Sequence, residues 1–201
     1  MTSVSATAEA PRRCRDDAER RLLLDRAYAL GVPRDYGRAR HLSLQREPAP
    51  LVSIGKDIHG RLQWMQPRAA RAVARMCETA ANEGVELQVV SAFRSIEYQL
   101  GILERKLAQG FTMDEILRTN AAPGYSEHHT GRCVDFTTPG FTALEKEFER
   151  SPAFLWLQRH AAEHGFVLSY PPGNVHGIAY EPWHWCWHAR IRQPFPGTDP
   201  R

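Results

Sequence analysis

Apolar and polar positions alternate most clearly over residues 85–93. There Val85, Leu87, Val89 and Ser91 interleave with Glu86, Gln88, Val90 and Ala92, a period of two that predicts a strand. Elsewhere the apolar positions recur at helical spacing. Residues 16–30 carry Leu22, Leu23, Arg26 and Ala27 on or near one face, closed by Gly31 and Pro33. Residues 67–83 open on Pro67 and carry Val73, Met76, Cys77 and Ala80 as a stripe that Gly84 stops. Ser95 is a suitable N-cap for a helix bearing Ile96, Leu100, Leu103 and Leu107. Thr112 and Glu115 have the form of a capping box, as do Thr142 and Glu145. Ser151-Pro152 opens a further helix ending at Gly165.

Between these elements, residues 33–66 read as irregular, with a short strand at 51–54, and residues 120–130 as a loop turned by Pro123-Gly124. Strands are expected at 133–138, 166–170 and 183–188. The order does not alternate as βαβ units do. The expected class is therefore α+β, a small and mostly antiparallel sheet flanked by helices.

Composition narrows the class. The 201 residues suit one domain, and 42% hydrophobic with 24% charged residues fits a soluble globular chain. The formal charge of +3 is mild and the basic residues are scattered, which argues against a nucleic-acid partner. No apolar run approaches the ~20 residues of a membrane span. Residues 1–15 lack the apolar stretch of a signal peptide and are expected to form a disordered arm. Cys14, Cys77, Cys133 and Cys186 form no C-x-x-C pair, so a cysteine zinc site is not expected.

The chemistry concentrates in two clusters. Ser126-Glu127-His128-His129-Thr130-Gly131-Arg132-Cys133-Val134-Asp135 sets an imidazole and a carboxylate seven residues apart around a glycine. Glu181-Pro182-Trp183-His184-Trp185 follows downstream. Two histidines and a carboxylate suit a catalytic zinc ion, which keeps a fourth position for water. That assigns His128, Asp135 and His184 as metal ligands and leaves Glu181 as general base. A carboxylate mid-strand, as Asp135 is, would be costly unless bound to metal or paired, for instance with Arg132 or Arg94. In a regular strand Glu181 and His184 would face opposite ways, so the strand must begin after Glu181 or kink there, and Pro182 supplies the break. Cys186 and His188 share the face of His184 and are rival ligands. His129 and His176 are further rivals, more simply read as surface-loop residues. Arg94 stands at a strand-to-helix junction, as an anion clamp or an ordinary surface arginine.

These residues carry a resemblance. Ser126-x-His128-x-x-Gly131-x-x-x-Asp135 followed by Glu181-x-Trp183-His184 resembles the zinc D-Ala-D-Ala carboxypeptidases of the VanY type, relatives of VanX-type dipeptidases, L,D-carboxypeptidases and some phage endolysins. Ser91-Ala92-Phe93-Arg94-Ser95 is similar to that family's S-G-Y-R-S element. The resemblance covers roughly residues 51–190, leaving residues 1–50 as an N-terminal arm and helical extension and 191–201 as a tail.

It implies the small α+β fold shared with Hedgehog signalling domains. It implies zinc on His128, Asp135 and His184, Glu181 as catalytic base, and Arg94 on the substrate carboxylate or the developing oxyanion. It implies that Ser126 and Gln99 line the substrate site. The implied substrate is the D-Ala-D-Ala end of a peptidoglycan stem peptide, handled by a monomer. A cross-link endopeptidase and a zinc-stabilised binding module are the rival readings, and Glu181 argues against the second. Such a substrate belongs to the cell envelope, although no export signal is visible. Cys133 stands where the family usually has alanine, and Ala92 and Phe93 replace the commoner glycine and tyrosine. Cys133 and Cys186 are expected as buried free thiols on the ligand face, with a bridge as the alternative if their strands pair.

Overall fold

The computed structural model describes residues 10–14 and 16–189. Residues 1–9 of the expected arm and the tail at 191–201 lie outside the described residues. Residues 10–14 are not a free arm: the Cys14 backbone N–H donates to Glu47, and Arg12 pairs with Glu19 and Glu97.

Helix α1, Asp17–Ala29, starts where the Asp16 carboxylate accepts the Glu19 N–H. A short α2, Tyr36–Ala39, follows. The short strand expected at 51–54 is β1, Val52–Lys56, and the stretch after it, expected to be irregular, supplies its antiparallel hairpin partner β2, Leu62–Met65. Pro67 opens α3, Pro67–Asn82. Strand β3 is Gln88–Ser91, shorter than its alternation predicts. The chain leaves the ladder because Ala92 and Phe93 turn their N–H groups to Gln63 and Trp64 of β2. Ser95 caps α4, Ile96–Ala108, and the Thr112–Glu115 capping box opens α5, Met113–Thr119.

The loop expected at 120–130 tightens into a 3₁₀ turn, Glu127–Thr130, before β4, Cys133–Thr137. After Thr142 the chain makes a 3₁₀ turn, Lys146–Arg150, without a side-chain cap, so that capping-box expectation fails. Ser151 caps α6, Pro152–His160, and β5, Phe166–Leu168, and β6, His184–Trp187, complete the fold. The main sheet has the order β3-β4-β6-β5, antiparallel throughout. The class is α+β, as the sequence predicts.

Side-chain period decides what each face of β4 and β6 does. Val134, Phe136 and Trp185 point to one face and pack with Met65, Met76, Trp156 and Leu157 in a core under α3 and α6. Cys133, Asp135, His184 and Cys186 fall on the other face, and all four are buried. A second core, from Leu23, Tyr36, Ile96, Leu100 and Ile116, joins α1 to α4 and α5. It anchors α4, and with it the Arg94–Ser95 corner.

The register also settles the cysteines. Cys133 lies directly opposite Cys186, with Cα atoms 4.0 Å apart, and the two form a disulfide. The neighbouring pair exchanges the ladder bond from Trp187 N–H to the Arg132 carbonyl, so Cys133 and Cys186 sit at a narrow, non-hydrogen-bonded position where side chains approach closest. The free thiols expected there are thus corrected to a bridge; Cys14 and Cys77 are the free cysteines among the described residues.

Candidate active site

Two residues along from that disulfide, the same register sets Asp135 opposite His184. This is the next narrow pair on the same face, so carboxylate and imidazole converge without strain. His184 Nδ1 lies 3.0 Å from Asp135 Oδ1. His128 arrives from the 3₁₀ turn, with Nε2 3.3 Å from Asp135 Oδ2 and its ring edge-on to His184 at 4.8 Å between centroids. The turn ends on Gly131, in the left-handed region at φ +60°. A Cβ there would stand 3.0 Å from Leu51 Cδ2 and 3.1 Å from the Gln66 nitrogen, so glycine is required for the chain to reverse from His128 into β4.

The donor atoms of His128, Asp135 and His184 lie within 4.8 Å of one another, in a fully buried group that could hold a metal ion. The outer nitrogens fix which atoms face inward. His128 Nδ1–H donates to the Ala92 carbonyl at 2.5 Å, leaving Nε2 buried with no hydrogen-bond partner. His184 Nε2–H donates to Glu127 at 2.9 Å, leaving Nδ1 toward Asp135. Carbonyl and carboxylate partners of this kind set the tautomer of metal-binding histidines. A buried ring nitrogen without a partner is costly, and a cation at the convergence point would satisfy it. Donor atoms of a second cluster, Glu127, Cys133 and His184, also lie within 4.8 Å of one another, but the Cys133 sulfur is bonded to Cys186 and offers no thiolate.

The electrostatics call for positive charge. Burial alone would raise the Glu127 carboxyl, but the hydrogen bond from His184 outweighs it and holds the group at about 2. Asp135 is likewise held well below the usual carboxylate range: burial opposes ionisation, and the His128 and His184 contacts overcome it. Burial would lower His184, yet hydrogen bonds to Asp135 and Glu127 push it up to about 10. His128 goes the other way, to about 4, through burial and the Arg94 charge. Without a metal, the proton on His184 Nδ1 therefore supplies the cation that the carboxylates require.

Glu181 lies just outside this set, its Oε2 4.0 Å from His184 Nδ1. Strand β6 begins only at His184, after a turn in which the His184 N–H donates to the Glu181 carbonyl. The predicted break at Pro182 is present, and it lets both side chains reach one place. Burial pushes the Glu181 carboxyl up to about 7, with His184 opposing and Asp135 adding to the rise. Arg94 Nη2 is 3.8 Å from Asp135 Oδ2, and its Nε is buried without a partner.

The rival ligands fall away from the convergence point. His129 is not a surface residue: it is fully buried, its Nδ1–H donating to the Arg94 carbonyl while Nε2 accepts the Gly124 N–H. It ties the Arg94 backbone to the 3₁₀ turn. His176 Nδ1 instead meets the Arg40 carbonyl. His188 belongs to neither candidate metal group, and Cys186 is in the disulfide. Ser126 and Gln99 are buried, and with Arg94, Glu181 and His184 they line a cavity of only about 20 Å³. That is too small for a peptide and lies beside a larger cleft of about 500 Å³ that Arg94, Asp135 and Glu181 also line.

Two contributors escape sequence reasoning. Glu127 hides between the better-known types Ser126 and His128, and nothing in its spacing shows that it reaches β6. Tyr170 packs its ring on His184 at 4.9 Å between centroids, from a loop far along the chain. Only the fold brings either to the site.

A profile of the VanY family, described as D-alanyl-D-alanine carboxypeptidase, matches residues 62–190, more than half of the chain. A D-alanyl-D-alanine carboxypeptidase of Enterococcus faecalis (strain ATCC 700802 / V583) is 31% identical over 118 residues, covering 54% of this chain and 42% of that protein. The chain spans about half the length, or less, of the curated relatives it matches. Among solved structures, the LdcB LD-carboxypeptidase is 30% identical with a TM-score of 0.64, covering 71% of this chain and 70% of that one. VanYB in complex with D-alanine-D-alanine is 25% identical with a TM-score of 0.56, covering 73% and 81%.

Proposed function

The chain belongs to the VanY family of D-alanyl-D-alanine carboxypeptidases, and from that premise we propose that it is a zinc-dependent carboxypeptidase releasing the terminal D-alanine of peptidoglycan stem peptides. The observation that carries the proposal is the buried convergence of His128 Nε2, Asp135 and His184 Nδ1 with Glu181 beside them. Three protein donors suit a catalytic zinc, which when bound acidifies a water and polarises a carbonyl.

The chain's own residues divide the remaining work. Glu181, raised toward neutrality by burial, is matched to taking a proton and returning it to the leaving amine. Arg94, against the ligand carboxylate and with a spare buried N–H, is placed to donate to the oxygen on which negative charge develops. Glu127 and the Ala92 carbonyl hold the two imidazoles in register. Ser126 and Gln99 line a small cavity together with Arg94 and Glu181, which supports a place for them at the edge of the substrate site.

The Cys133–Cys186 disulfide supports action in an oxidising compartment, and the cell envelope is both oxidising and the place of the substrate. The deciding experiment is mass spectrometry of products from defined muropeptides. Loss of one D-alanine from a stem ending in D-Ala-D-Ala is expected. Cleavage of cross-links with intact free termini would replace this reading with an endopeptidase, and release of D-alanine only from stems ending in an L,D bond would shift it to L,D-carboxypeptidase.

A further inference from the structure

The cleft of about 500 Å³ beside the donor set contains a cation that the chemistry above does not use. Asp135, Glu181, Arg94 and Trp183 line it together with Asn120 and Lys106. Lys106 stands in the last turn of α4 and is half-buried, and it has no ion pair among the described residues. Its place near a helix C-terminus accounts for a positive charge there, since the helix dipole favours one. It does not account for Lys106 lining the same cavity as the base. Burial and the Arg94 charge both lower the Lys106 ammonium, while Glu181 opposes them. The ammonium therefore feels the site's charges and is not wholly at large in solvent. The remaining charged groups on this cleft, Glu145, Lys146 and Glu147, are exposed at its rim.

The proposed reaction creates a need for such a cation. The base must return its proton to the leaving amine, which brings that nitrogen to Glu181. In an amino acid the carboxylate is one carbon away from the amine, so the substrate's terminal carboxylate must come within a few ångströms of Glu181. Two anions in a partly desolvated space repel strongly unless a cation stands by them. Arg94, with its unpartnered Nε, is assigned to the oxygen on which charge develops. Lys106 is the other cation of the cleft that is partly withdrawn from solvent.

We propose that Lys106 is a specificity residue that binds the free terminal carboxylate of the substrate and so makes the site prefer a chain end. Arg94 is thereby left to the reacting carbonyl. This inference rests on the carboxypeptidase reading. It commits to a carboxylate in the leaving residue and excludes the sugar or the upstream peptide as the ligand of Lys106.

The test uses the full chain loaded with zinc and a stem peptide ending in D-Ala-D-Ala, as free acid and as C-terminal amide. Removing a charge-assisted hydrogen bond should raise KM for the free acid about 10–100-fold in Lys106→Met, with kcat changed by less than about threefold. The amide should be cleaved alike by both proteins. Lys106→Arg should restore most of the affinity, and Lys106→Glu should weaken it further. Inhibition by free D-alanine, read on the same proteins, should fall in parallel with the affinity for substrate. A Lys106→Met protein that loses kcat equally on acid and amide would overturn the proposal and make the lysine an electrostatic neighbour of Glu181. An unchanged KM would also overturn it. If the wild-type chain releases no D-alanine from the free acid, the carboxypeptidase reading fails instead, and zinc content distinguishes that from an empty site. Should Lys106→Met not fold, the Lys106→Arg and Lys106→Glu comparison carries the same decision.

Discussion

Replacing Glu127 tests whether the outer partner of His184 governs the metal site. His184 is 1% exposed and its Nε2–H donates to Glu127 across 2.9 Å. In Glu127→Ala that N–H is left buried and unpaired, which costs about 1–3 kcal/mol. In the metal-free site the ring avoids the cost by shedding the Nε2 proton and keeping the one on Nδ1, which faces Asp135 and blocks the donor that a metal needs. Metal binding must then move the remaining proton back to the unpaired Nε2, so the penalty falls on the metal-bound state. A loss of 1.4 kcal/mol is a factor of ten, so zinc affinity should fall roughly 10–100-fold, the range found for outer-partner changes. Glu127→Gln can still accept the N–H but carries no charge, so its loss should lie near the lower end, about tenfold. Competition with a chromogenic chelator measures the affinity, and far-ultraviolet circular dichroism checks the fold. Long-range nitrogen NMR of the imidazoles reads the tautomer directly. A folded Glu127→Ala protein binding zinc within about threefold of wild type, with His184 still protonated at Nε2, would refute the reasoning.

Three further outcomes are expected. Glu181→Gln should retain zinc and fold but lose about 10²–10⁴ of turnover, and an active, zinc-loaded variant would remove Glu181 as the base. Zinc affinity should depend on pH: His184 in the metal-free site keeps its proton up to about 10. Metal must displace that proton, so affinity should climb with pH by about tenfold per unit through the neutral range; a flat profile contradicts the charge assignment. Thiol counting under denaturing, non-reducing conditions should find two titratable groups, Cys14 and Cys77, and four would remove the bridge. The bridge spans 53 residues. On the chain-entropy estimate, opening such a loop by a Cys133→Ala/Cys186→Ala double substitution costs about 4 kcal/mol, to be read from urea denaturation.

What could be read from the chain and what could not divides along a physical line. Helix starts are legible where caps are local: Ser95, Thr112 and Ser151 each accept an N–H three residues on. The 3₁₀ turn at Glu127–Thr130 was missed although Ser126 caps it, because a four-residue turn leaves no periodicity to detect. Strand β3 was overextended for a different reason. Its alternation is real, but the partners of Ala92 and Phe93 are on β2, some thirty residues away, and no local pattern reports that.

The same distinction runs through the site. Asp135 is legible because a carboxylate in mid-strand is expensive to bury without a partner, and His128, Glu181 and His184 through the combined spacing of the two clusters. Their convergence depends on one long-range quantity, the register of β4 against β6. Slipping that register by one residue would turn every side chain of β6 to the opposite face. Asp135 would then face away from His184, and Cys133 away from Cys186. The disulfide is thus a covalent lock on the pairing that assembles the donors, two residues from both Asp135 and His184. Sequence reasoning named both cysteines and both ligands, and put them on one face. The adjacency of the two strands, which decides between free thiols and a bridge, is written in neither segment. Once the strands are neighbours, the bridge and the metal donors follow from a single alignment.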